Sequence, residues 1–124
     1  MLAGLSGLLL VAPPFFLEGW AGEFDPPLVN HPEYYYGFLA VTLPWQLAYL
    51  LIATDPGRFR PVILLGLLGK ASFAVTLLTL FALGRASARW LGFAAFDAAW
   101  AVLFVIAYLR IPHFQVSRGH PGSG

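Results

Sequence analysis

The sequence predicts an all-α integral membrane protein built as a four-helix transmembrane bundle. Three observations carry that prediction. Apolar residues make up 59% of the 124 residues and charged residues only 10%, with a mean hydropathy of +0.74. Soluble domains are about half apolar and about one quarter charged, so a water-exposed surface could not be covered with this composition. The apolar residues also fall into four runs separated by polar or Pro/Gly-containing stretches. Three of the runs are about 20 residues long or more, roughly 30 Å as helix, which is the thickness of a hydrocarbon core.

Composition narrows the function as well. Seven basic residues nearly balance six acidic ones, leaving a net charge of +1 and no basic stripe, so no nucleic-acid partner is expected. There is no cysteine, which removes disulfides, thiolate metal sites and dithiol redox chemistry together. No hydrolase elbow, phosphate loop, zinc-binding helix or paired-carboxylate site is present, so nothing points to an enzyme, a catalytic residue or a cofactor. His31 and Glu33 lie two residues apart near other acids, but with no second histidine nearby they read as the break before a helix, and no metal is expected.

Taken in order, the first run, at about residues 2–17, makes a short first helix of roughly 24 Å. It lacks the basic start and the small-residue cleavage pattern of a signal peptide. Pro13 and Pro14 deprive its last turn of backbone donors, so that turn should kink or pack against protein. From Glu18 to Glu33 the acids Glu18, Glu23 and Asp25 with Pro26 and Pro27 read as an external loop whose Trp20 and Phe24 rest on the membrane surface. The second span covers about 34–53, opening with three tyrosines suited to the headgroup region and carrying Pro44, where a kink is expected beside Trp45 and Gln46. A turn at Thr54–Gly57 leads to Arg58 and Arg60, which read as a lipid-headgroup anchor. The third and fourth spans cover about 61–83 and 88–109, and the link between them is so short that they must be antiparallel neighbours. Residues 1–110 thus form the transmembrane domain, and 111–124 read as a flexible cytoplasmic tail.

Two ionisable residues sit inside these apolar runs, Lys70 in the third and Asp97 in the fourth. An intramembrane charge costs a few kcal/mol on insertion scales and is kept where it has a partner or a cavity. Counted from one membrane face at about 1.5 Å per residue, Gln46 lies roughly 10 Å deep, Lys70 roughly 13 Å and Asp97 roughly 18 Å, within reach of one another. The three form a candidate polar layer, either a structural latch or a ligand site, with Trp45 and Trp100 near enough to wall an apolar ligand. Gly66 and Ala74 flank Lys70 on its helix face, and Ala94 and Ala101 flank Asp97. Small neighbours of this kind let membrane helices approach closely.

An even number of spans puts both termini on one side. That side holds Arg58, Arg60, Arg110 and Arg118 and the other only Arg85 and Arg89, so the termini are expected in the cytoplasm. The short first helix ending in Pro13-Pro14, the opening Tyr35-Tyr36-Gly37-Phe38, the Arg58-x-Arg60-Pro61 entry and Lys70 within the third span resemble the layout of DoxX-like small bacterial four-helix membrane proteins over about residues 1–110. That resemblance implies an inner-membrane bundle and carries over no site residue, and the absence of cysteine sets aside the thiol-linked roles of such proteins. The expected function is an accessory or binding subunit, or an apolar-ligand-binding bundle, in contact with the bilayer and with another membrane subunit or a second copy. The alternative is a small proton-coupled transporter that works as a homodimer through Lys70 and Asp97.

Overall fold

In the computed structural model, which describes residues 1–112, the chain forms helices α1 (Leu2–Val11), α2 (Glu18–Phe24), α3 (Pro32–Thr54), α4 (Arg60–Ala82) and α5 (Trp90–Arg110), with a 3₁₀ turn at Pro13–Phe16. The expected flexible tail lies, from residue 113 onward, outside the described residues. Among the described residues there is no strand, and the architecture is a helical bundle of a multi-pass membrane protein. Helices α3, α4 and α5 are each long and apolar enough to cross a membrane. Large apolar side chains such as Leu51, Leu68, Val75 and Val102 point outward and are more than half exposed, the surface a helix presents to lipid.

The first span is shorter than a full crossing. Pro13 and Pro14 bring no N–H, so the α-helical ladder stops at Val11 and the chain tightens into the 3₁₀ turn. At Leu17 it then bends by 102° into α2. Residues Glu18–Phe24, expected as part of an acidic, proline-containing loop, are helical instead. Three interactions hold this short helix in place: Glu18 sits in the first turn, where the helix dipole favours an acid, the Tyr36 hydroxyl donates to Glu18 Oε2 at 2.7 Å, and the rings of Trp20 and Phe24, one turn apart, stack at 5.3 Å. Both rings are open to the surroundings.

The bundle consists of two antiparallel helix pairs. In the first, α1 lies on α3 with glycines at the contact: a Cβ on Gly4 would come within 2.7 Å of the Gln46 carbonyl oxygen, and one on Gly7 within 1.7 Å of Gln46 Oε1. No residue larger than glycine fits at position 7 unless the Gln46 side chain moves. The Tyr35 hydroxyl adds a hydrogen bond to the Pro14 carbonyl at 2.7 Å. Helix α3 continues without a break through Pro44.

In the second pair α4 and α5 pack along most of their length. The buried face of α4 is Ile63, Gly66, Lys70, Ala74 and Leu77, a helical stripe, and α5 answers with Ala94 and Ala101 on either side of Asp97. The corner between them is set by Gly84, whose φ of 68° suits only a residue without a Cβ penalty. The N–H of Arg85 bonds the Leu80 carbonyl and that of Gly84 the Phe81 carbonyl, which satisfies the last carbonyls of α4 and fixes the direction of the link. At the other end, Arg60 donates from Nε to the carbonyls of Tyr108 and Ile111 at 3.2 and 3.1 Å and lays its guanidinium 3.7 Å over the Tyr108 ring. Its side chain is thus turned onto the end of α5, while the Arg58 guanidinium stays outside, 5.5 Å from the Phe59 ring.

Candidate functional site

Lys70 and Asp97 meet at the interface of α4 and α5. Lys70 Nζ donates to Asp97 Oδ1 at 2.7 Å, with the two side chains only 9% and 17% exposed. The contact works because Gly66 and Ala74, one turn to either side of Lys70, and Ala94 and Ala101, flanking Asp97, leave room for the backbones to approach. A charge-assisted bond of this length in low dielectric needs both partners: removing either would strand the other in an apolar interface.

The third side of this layer is Tyr49 rather than Gln46. The Lys70 ammonium lies 5.6 Å from the centre of the buried Tyr49 ring, and that ring meets Phe104 edge-on at 5.1 Å. Gly66 lies beneath both rings, since a Cβ there would be 2.8 Å from Tyr49 Cε1 and from Phe104 Cε2. Gln46 is buried at 4% exposure but turns toward α1: Nε2 donates to the Thr42 carbonyl at 3.1 Å, and Oε1, with no hydrogen-bond partner, rests on Gly7. Depth along the helix places Gln46 in the same layer as the ion pair, but its direction around the helix axis places it at a different interface.

The crease between the two helix pairs holds two cavities that share no lining residue, one toward each end. The proximal one, at the end that carries Met1 and the link from α3 to α4, has a volume of about 420 Å³. Its walls include Tyr49, Ile52, Ile63, Phe104 and Ala107, with Met1 at the edge, and no charged side chain among the described residues. The distal one, of about 520 Å³, lies over Phe38, Phe73 and Leu77 and is rimmed by Asp25, Arg85 and Trp90. Trp45 and Trp100, expected as walls, lie one turn away from the residues that do the walling. Trp45 packs on Tyr49 at 6.2 Å and Trp100 on Phe104 at 6.4 Å, so they form a second layer behind the cavity.

At the distal end a clamp with no signature in the sequence ties the loop before α3 to α5. Asp25 accepts a hydrogen bond from the Ser87 hydroxyl at 2.8 Å on Oδ1 and another from the Trp90 indole on Oδ2. Arg89 donates to the Phe24 carbonyl and lies over the Phe24 ring. The indole bond first, then the hydroxyl bond, with help from the Arg89 charge, hold the Asp25 carboxyl below the usual carboxylate range against a small opposing desolvation. The loop before α3 is thereby fastened to the start of α5, 65 residues later. At the mouth of α3, His31 Nδ1 and Glu33 Oε1 are 3.0 Å apart and exposed, and among the described residues no three metal-ligating side chains come together.

The chain matches no family model, no curated protein and no solved structure. What fold and site define is a class: a small multi-pass membrane bundle of two helix pairs, one pinned by a buried ion pair, with an apolar crease between them.

Proposed function

We propose that the protein is a membrane-embedded binding protein, acting alone or as an accessory subunit of a membrane complex, that holds an apolar ligand in the proximal cavity. One observation carries this reading. A cavity of about 420 Å³, within the range of about 300–1,000 Å³ that ligand sites occupy, lies between two rigid helix pairs and is walled by apolar and aromatic side chains. On this reading Lys70 and Asp97 are the latch that keeps the α4–α5 wall in register, and Trp45 and Trp100 stiffen the rings that face the ligand. The test is photolabelling of the protein in lipid nanodiscs with a diazirine-bearing hydrocarbon. Peptides containing Tyr49 and Phe104 should be labelled, and Ala107→Trp, which fills the cavity, should abolish that labelling while lipid-facing positions stay labelled. Equal labelling of the filled variant would overturn the proposal.

The proposal includes the DoxX-like layout and its setting, an inner membrane with both termini in the cytoplasm. The support is the distribution of arginines, four on the terminal side against two on the other. A reporter active only in the cytoplasm should give signal when fused at the C-terminus and none when fused at Gly22. A second reading, a proton-coupled transporter working as a dimer, is favoured by one feature: the two cavities open at opposite ends of one crease, with Tyr49, Lys70 and Asp97 between them. It calls for pH-dependent flux in liposomes that disappears in the Lys70→Met/Asp97→Leu double variant.

A further inference from the structure

We infer that the distal cavity is a second binding site, distinct from the proximal one, for a single-chain amphiphile with a carboxylate head, with Arg85 as the residue that receives the head. The floor is apolar: Phe38 and Phe73 stack at 5.7 Å, and Leu77 and Leu80 continue the surface along α4. At the rim, Arg85 is exposed and its guanidinium makes no hydrogen bond or ion pair among the described residues. Its backbone is fixed at the rim, because its own N–H closes the last turn of α4 onto the Leu80 carbonyl. The acid at the same rim, Asp25, is turned to Ser87 and Trp90 and forms no ion pair with Arg85. An unpaired guanidinium above an apolar trough presents a planar fork that matches a carboxylate, with a tail-sized space below it.

Size and charge select among anionic amphiphiles. About 520 Å³ is the space of a drug-sized ligand and suits one chain rather than two. The ionised Asp25 at the same rim disfavours a doubly charged phosphate monoester, whereas a singly charged carboxylate is met by one arginine. The membrane surface concentrates such molecules with the head at the level of the α4–α5 link and the tail in the hydrocarbon, the orientation in which the cavity would receive them.

The experiment uses the full chain in nanodiscs of neutral phosphatidylcholine and measures binding of palmitate by native mass spectrometry and calorimetry. Palmitate should bind, and methyl palmitate, with the same chain and no charge, should bind at least about tenfold more weakly. Arg85→Gln should weaken palmitate binding by a similar factor with an unchanged melting temperature, since the side chain it replaces has no partner. Arg85→Lys should recover part of the affinity, and Leu77→Trp should remove binding by filling the trough. Equal binding of acid and ester by the wild-type protein would overturn the inference without recourse to any variant. So would palmitate binding that is lost in Ala107→Trp but not in Leu77→Trp, which would move the ligand to the proximal cavity, or phosphatidylglycerol competing as well as palmitate, which would make the site one for two-chained lipid.

Discussion

The two helix pairs solve the same problem with opposite chemistry. The α4–α5 pair is held across its middle by one charge-assisted bond between Lys70 and Asp97 and is capped at its ends by Gly84 and Arg60. The α1–α3 pair has no charge at its centre; its contact is close approach, with Gly4 and Gly7 taking the backbone and side chain of Gln46. The first arrangement is sensitive to loss of a partner and the second to gain of volume. In a membrane this difference matters, because lipid tails compete for apolar contact as well as another helix does, and only polar pairing or close packing makes helix association specific.

The contrast is broken most directly at the ion pair. Lys70→Met should lower folded stability by about 3–5 kcal/mol because it leaves the Asp97 carboxylate uncompensated, and Asp97→Leu should do the same to Lys70. The double variant should recover most of the loss, a result read from melting temperature and detergent-resistant folded yield. Single variants that melt like the wild type would show that the pair does not hold α4 to α5. Next in size is Gly7→Ala. Its Cβ would enter the space of Gln46 Oε1, so a loss of about 1–3 kcal/mol is expected, the range for overpacking. Here the compensating change is a smaller neighbour, Gln46→Ala, not a matching charge, and rescue by that double variant is what separates the two mechanisms.

Smaller effects come from the loops. Tyr36→Phe removes the donor to Glu18 and should loosen α2 from α3, seen as faster hydrogen exchange over Glu18–Phe24 with little change in melting temperature. The smallest is the pH response of the distal clamp. Asp25 has its carboxyl lowered from the ordinary value of 3.8 in the folded protein. Its contribution is therefore fully present above about pH 4 and is lost as pH falls through the lowered folded value. The melting difference between wild type and Asp25→Asn should accordingly be largest near neutral pH and shrink as the pH falls through the lowered folded value. A difference that persists in acid would mean that the clamp does not depend on the ionised carboxylate.

Much of this was legible in the sequence because ionisable residues in apolar runs are rare. Lys70 and Asp97 stand out for that reason, and counting residues along each helix brings them to one depth. The small residues beside them disclosed which faces meet. Counting depth says nothing about direction around the axis of an unplaced helix, however: depth alone groups Gln46 with the ion pair, yet its side chain faces Gly7, and it favours Trp45 and Trp100 as walls, yet Tyr49 and Phe104, one turn on, face the crease. Aromatic residues are so common in these helices that no local signal marks the ones that matter. Helix α2 was hidden by the acidic, proline-containing stretch it belongs to, and the Asp25–Trp90 contact by the 65 residues between its partners. Both are consequences of tertiary packing, which overrides local preference.

The brevity of α1 also has a consequence for the surrounding bilayer. From Leu2 to Val11 the helix rises only about 15 Å, roughly half of a hydrocarbon core, while α4 on the other flank of the bundle rises about 34 Å. One molecule thus presents two hydrophobic heights to its lipids. Such a mismatch is relieved by thinning the leaflet beside the short element or by tilting the whole body toward it, at fractions of a kcal/mol per Å. The membrane around this protein is expected to be thinner along α1 than along α4. Membranes of different thickness should then differ in how well they accommodate it, with a bilayer of short-chained lipids retaining the folded protein better than one of long-chained lipids.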